Sequence, residues 1–189
     1  MSLELLDWRR SVASLYAVVR ADPDPAHAHE VWCDGRQELF RNHPQSPDRD
    51  AELRVAPYDA DWRFELTVEP AEPLRIEIAT ATDGVVPFER IGRVRLPPLG
   101  TLDVWWLDSY GGGVWLPLRD ANPATYGGGR YVLDTVKGAD LGGRAGHLVV
   151  DLNFAYNPSC AYDEAWACPL APEGNRVERA VPVGELRPA

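Results

Sequence analysis

Lysine occurs once in this sequence, at Lys137, although 19 residues are basic. The others are arginine, whose planar fork suits fixed hydrogen-bonded sites. An arginine bias of the coding genome would give the same count. Basic residues are also outnumbered by 29 acidic ones, which leaves a net charge of -10. That balance argues against nucleic acid as a partner, because phosphate contacts need a basic surface. No apolar run approaches the roughly 20 residues of a membrane span. The first ten residues carry acids early and lack a signal-peptide core, so the expected location is cytoplasmic with no membrane partner. Cysteine is scarce too. Cys33, Cys160 and Cys168 are the only three, and in a reducing compartment they are expected as thiols. No internal repeat and no low-complexity tract is present.

What is present is ordinary for a folded chain. Of 189 residues, 45% are apolar and 25% charged, which fits one domain over 1–189 with a real core. Its two parts are a helical segment at about 3–42 and a β-rich body at about 50–189. Leu5, Trp8, Val12, Leu15, Tyr16 and Val19 recur at three- and four-residue spacing, which predicts a helix over Leu3–Val19. Asp22-Pro-Asp-Pro25 ends it. A second helix is expected over Ala26–Asn42, with Val31, Trp32, Leu39 and Phe40 as its stripe and Gly35 as a weak point. His43-Pro-Gln-Ser-Pro47 stops it.

Beyond Pro47 the period changes to two. Trp62, Phe64, Leu66 and Val68 alternate with polar residues, as do Leu74, Ile76 and Ile78. Asp83-Gly84 reads as a hairpin turn into Val85–Ile91. Further strands are expected at Val94–Leu96, Leu102–Leu107, Val114–Leu118, Tyr131–Thr135, His147–Tyr156 and Val177–Val183. Many short strands after two helices, with no helical pattern between them, predict a mainly β, α+β fold. It would be an antiparallel sandwich or open barrel with the two N-terminal helices packed on it.

The stretch richest in special residues is Asp151-Leu-Asn-Phe-Ala-Tyr-Asn-Pro-Ser-Cys-Ala-Tyr162. In a strand, Leu148, Val150, Leu152, Phe154 and Tyr156 share one face, and Asp151, Asn153 and Asn157 the other. Pro158 then stops the ladder. Asp151 stands out as an acid inside an apolar strand and is the first candidate for a general base. His43, in a tight Pro-flanked loop, is the second; a structural hydrogen bond is its plainer role. In Arg119-Asp120…Thr125-Tyr-Gly-Gly-Gly-Arg-Tyr131, glycines allow backbone amides near a ligand, and Arg130 could hold an anion. A Gly-rich turn with Arg130 tied to an acid is the simpler alternative. It is not a P-loop, since no Gly-Lys-Ser/Thr follows, and no other cofactor motif is present.

Cys160 and Cys168 are separated by seven residues, longer than standard zinc pairs. They could be pocket thiols, a disulfide or metal ligands; two thiols without metal are the expectation. The candidate ligand-binding set is Tyr126, Arg130, Asn153, Tyr156, Asn157, Cys160 and Tyr162, with no metal ligands and no cofactor.

Five separated motifs occur in order: Arg41–Pro47, Thr125–Tyr131, Asp151–Tyr162, Cys168-Pro-Leu-Ala-Pro-Glu-Gly-Asn175 and Gly184-Glu185. Together they resemble the prokaryotic domain of unknown function 1684 family, from about the second helix to the C-terminus. The family pattern has Phe where this chain has Leu152, and a Phe-x-Asp-x-Thr-like string where it has Leu118-Arg-Asp-Ala-Asn122. The resemblance implies a compact domain with a shared site and no particular activity.

Two functions follow. One is an enzyme acting on a small polar or anionic metabolite, with Asp151 or His43 as base and Arg130 as anion holder. Tyr126 and Asn153 would orient the substrate. The other is a non-catalytic binding domain using the same pocket. A third reading makes Asp151, Asn153 and Asn157 a polar brace of the Pro158 turn. Pairing of consecutive strands predicts that Arg130 and Asp151 face one common pocket.

Overall fold

The computed structural model describes residues 3–80, 84–97, 99–166 and 168–189. Helix α1 spans Leu3–Ala21 and α2 spans Pro25–Asn42. The break between them is set locally. Asp24 caps α2 by accepting from the Ala26 N–H at 3.0 Å, and Pro25 takes the first turn, where its missing N–H costs nothing. Each helix buries a stripe: Tyr16 and Val19 from α1; Ala28, His29, Trp32 and Phe40 from α2. Gly35, expected as a weak point, is a packing position. A Cβ there would lie 2.6 Å from Leu15 Cδ1, so glycine lets the two helices approach.

Eight strands follow: β1 (Arg63–Thr67), β2 (Arg75–Thr80), β3 (Gly84–Leu96), β4 (Gly100–Leu107), β5 (Val114–Leu118), β6 (Arg130–Asp134), β7 (Gly143–Arg144) and β8 (His147–Asp151). They form two antiparallel sheets with strand orders β1-β8-β7 and β2-β3-β4-β5-β6. Isolated bridges stitch the sheets together at both ends, Glu69 to Arg93 and Tyr131 to Tyr156, which gives a barrel-like circuit. Val94, Leu96, Leu102, Val104, Leu116, Val132, Val150 and Leu152 fill its core. Alternation sends Phe88, Trp105, Trp115 and Tyr131 into a second cluster. The mainly β, α+β architecture with two N-terminal helices is therefore present as expected. No described helix is long and apolar enough to cross a membrane.

Several local expectations are corrected. Val85–Ile91 and Val94–Leu96 are one strand, β3, with a bulge between Arg90 and Gly92. The strand expected through Tyr156 ends at Asp151, and Leu152–Phe154 forms a 3-10 turn. The cause is a side-chain bond: Asp151 accepts from the Asn153 N–H at 3.0 Å and caps the turn. Thr135 likewise opens a 3-10 turn rather than extending β6. Val177–Val183 is not a strand; it runs beside the segment after β5, with single bonds such as Val177 N–H to Arg119 O at 2.8 Å. In the expected Asp83-Gly84 turn, Asp83 lies outside the described residues; the β2–β3 pairing reaches Thr80 opposite Gly84.

Candidate functional site

The helices lie over β6 and the chain after β8 and leave a cleft with about 650 Å3 of open space, mouth included. Spacing of four along α2 points Trp32, Arg36 and Phe40 into it, and α1 adds Trp8, Val12 and Tyr16. The opposite wall is Tyr131, Lys137 and the run Tyr156-Asn157-Pro158-Ser159. The Tyr131–Tyr156 bridge fixes that run, with reciprocal backbone bonds of 2.8 and 2.9 Å.

A cation sits in this apolar setting. The Arg36 guanidinium carbon is 4.8 Å from the ring centroids of both Phe40 and Tyr156. Its Nε and Nη2 each lie 2.9 Å from Glu185 Oε2. Glu185 is fully buried; its Oε2 also accepts the Asn157 N–H at 3.2 Å, and its Oε1 accepts Asn157 Nδ2 at 3.3 Å. Burial pushes the Glu185 carboxyl up, and Arg36 and the Asn157 N–H oppose that rise. Asn157 Nδ2 also donates to Leu186 O at 2.7 Å and Tyr162 O–H at 3.3 Å.

One polar group here is left over: Asn157 Oδ1 is buried without a donor. Arg36 makes its bonds through Nε and Nη2, the latter also donating to Asn157 O at 3.4 Å. Lys137 stands at the rim, 3.4 Å from Asp134. Burial raises the pKa of Tyr16, Tyr131 and Tyr156, so the walls present neutral hydroxyls. The cleft thus offers two cations and several hydroxyls on apolar walls. Both cations face buried carboxylates, Arg36 facing Glu185 and Lys137 facing Asp134.

Of the expected site residues, Tyr156 and Asn157 line this cleft. Tyr162 stands behind it, its hydroxyl on Asn157 and its ring 4.9 Å from Phe40. The two alternative bases, Asp151 and His43, lie in different places, and neither lines this cleft. Asp151 lines a separate polar cavity of about 400 Å3 with Arg20, Asp22, Ala28 and Arg63. Burial pushes its carboxyl up to about 6, against two hydrogen bonds from Asn153 and Arg63 Nε at 3.7 Å. His43 caps the far end of α2. Its Nδ1 accepts from the Gln45 N–H at 3.0 Å, and its ring meets Trp8 edge-on. From Ala28, beside Asp151, to His43 is roughly 22 Å of helix, too far for one small substrate.

Arg130 and Asp151 do not share a pocket either. Arg130 is fully buried, with Nη2 2.9 Å from Asp120 and Nη1 donating to the carbonyls of Val183 at 2.6 Å and Glu185 at 3.2 Å. The pairing argument failed because β8 pairs with β1 and β7, while β6 pairs with β5 and bridges the chain after β8 only at Tyr156. Asn153 is a brace. Its Oδ1 accepts from the Asp59 N–H at 2.9 Å, and its Nδ2 donates to Asp59 O at 2.9 Å and Asp151 at 2.8 Å.

Tyr126 and Cys160 form a third place, with the hydroxyl 3.9 Å from the sulfur. The Cys160 N–H donates to Cys168 Sγ at 3.4 Å, and both cysteines are free thiols. Hydrogen bonding from the Cys168 thiol, and then from Tyr126, lowers Cys160 to about 6 against the effect of burial. Among the described residues no three His, Cys, Asp or Glu could hold a metal ion. Sequence reasoning missed Arg36 and Glu185. Position 36 lies one turn before Phe40, which marked its face, but nothing local tied it to Glu185.

A family model described as "Protein of unknown function (DUF1684)" matches residues 51–186. No curated protein matches the chain. Among solved structures, the chain is similar to the solution NMR structure of an uncharacterized protein of Haloarcula marismortui. Identity is 30% and the TM-score 0.56, over 83% of this chain and 91% of that one.

Proposed function

This chain belongs to the DUF1684 family, and we propose that its cleft between the helices and β6 is a binding site for a small amphipathic anion. The ligand would carry a carboxylate-like head on an aromatic or aliphatic body. The observation that carries this reading is Arg36, a cation lining the cleft with a side chain only 12% exposed, which is held through Nε and Nη2. Two rings and Glu185 hold it, so little entropy is lost when it binds. Lys137 adds a second positive charge at the rim, and the aromatic walls suit an apolar body. A binding role is favoured over catalysis because neither alternative base, Asp151 or His43, lines the cleft.

Titration with hexanoate and benzoate, followed by amide chemical shifts, tests this. Saturable shifts at Arg36, Tyr156 and Asn157, weakened in Lys137→Met, are expected. The paired variant Arg36→Met with Glu185→Met removes the cation without stranding a buried charge, and it should fold and fail to bind. Equal binding by the paired variant, or shifts only elsewhere, overturns the proposal.

A further inference from the structure

We propose that a second cleft, between the chain after β5 and residues 176–187, binds the phosphate group of a small phosphorylated molecule. It encloses about 1030 Å3, open mouth included, and Arg119, Arg176 and Arg187 line it. Arg119 and Arg176 are partners in a parallel bridge, so their side chains leave on the same face. The backbone locks that arrangement, with Arg119 N–H to Asn175 O at 2.9 Å and Val177 N–H to Arg119 O at 2.8 Å. Arg187 is brought alongside by its N–H to Ala124 O at 2.9 Å.

Like charges placed directly opposite each other across a ladder destabilise it. Ordinarily a carboxylate relieves them, and here none does. Among the described residues no acid lies within ion-pair distance of Arg119, Arg176 or Arg187. The nearest carboxylate in the chain, Asp120, is spent. Its Oδ2 takes Arg130 at 2.9 Å, and its Oδ1 takes the N–H groups of Asn122 at 2.9 Å and Val181 at 3.1 Å. Glu178 on the rim is the one remaining acid lining the cleft, and it pairs with none of the three.

A chain of net charge -10 has acids enough to neutralise three arginines. It leaves these three converging on one cleft. Guanidinium forks match the paired oxygens of a phosphate, and three of them balance a dianion with charge to spare. The cleft is open and wide enough for an attached body, and Gly127 leaves its edge clear, since a Cβ there would meet nothing within 4 Å. The acidic remainder of the surface disfavours a long polyanion, which fixes the ligand as small.

Calorimetric titration of the full chain with inorganic phosphate and pyrophosphate tests the site, with a single-stranded oligonucleotide as a separate arm. Pyrophosphate is expected to bind saturably, and Arg119→Gln to weaken it by about ten-fold, equivalent to about 1.4 kcal/mol. Arg9→Gln with Arg10→Gln, in α1 and outside this cleft's lining, should leave binding unchanged. Melting separates recognition from a structural role. Without ligand, Arg119→Gln should melt at or above the wild-type temperature, because it relieves a like-charge contact, yet lose the rise that pyrophosphate induces. Equal weakening in the α1 variant, an unliganded melting temperature lowered by Arg119→Gln, or preference for the oligonucleotide would each overturn the proposal.

Discussion

Asp151→Asn should flatten the dependence of stability on pH. In the folded protein the Asp151 carboxyl is pushed up to about 6, chiefly by burial, from the ordinary aspartate value of about 3.8. The folded state therefore holds this proton more tightly than the unfolded state does. Its stabilising effect is complete below about pH 3.8 and is lost as pH rises through about 6. The difference of about 2.2 units corresponds to about 3 kcal/mol at 1.36 kcal/mol per unit. Asparagine keeps the geometry, since its carbonyl can accept both bonds from Asn153, and it carries no charge to bury. It surrenders only the attraction to Arg63, whose side chain is 39% exposed at 3.7 Å, a contact worth little in solvent. Urea unfolding of both proteins between pH 3.5 and 7.5 gives the difference curve, in which other titrating groups cancel. The variant should gain on the wild type by about 3 kcal/mol between the two ends of that range. A flat difference, or a wild type that gains on the variant as pH rises, would refute the burial argument.

Three further outcomes are expected. Arg36→Met should cost about 3–5 kcal/mol by stranding buried Glu185, and adding Glu185→Met should recover most of it, read as coupling in a double-mutant cycle. Gly184→Ala should cost about 2 kcal/mol or more in denaturant unfolding, because Gly184 has φ +81 and a Cβ would sit 2.8 Å from the Leu152 and Ala155 carbonyls. Alkylation of Cys160 by iodoacetamide should rise with a midpoint near pH 6, and Cys168→Ala should move that midpoint upward, because the Cys168 thiol is the leading support of the thiolate.

How much of this was legible in the sequence depends on how far apart the interacting residues lie. Both helices, β1 and β5 were readable because period and punctuation are local: Asp24-Pro25 starts α2, and Phe64 and Leu66 alternate over β1. The reading broke after Asp151. Leu152 and Phe154 are apolar and buried in either conformation, so alternation could not tell a strand from a turn. What decided was a bond from Asp151 to a backbone N–H two residues on, a contact that hydropathy does not encode.

The site divides along the same line. Asn157, grouped with Asp151 and Asn153 on the polar face of the expected strand, lines the cleft. Its role, however, is set by Glu185, 28 residues on, and Glu185 in turn by Arg36, which is 149 residues away. Neither carboxylate nor guanidinium could be assigned by its neighbours in sequence. In the sequence Gly184-Glu185 stands out only as one of five family-like motifs, and its role shows only once Arg36 is seen opposite it. The converse error befell Arg130 and Asp151, two charges that pattern placed together and topology separated. Each found a nearer partner, Asp120 and Asn153 respectively. A buried charge must be met by something, but the strand order decides by what. The order of the five-stranded sheet leaves β6 at an edge, where it meets Tyr156 rather than β8. That edge position is also what opens the cleft, because a helix pair and not another strand covers it.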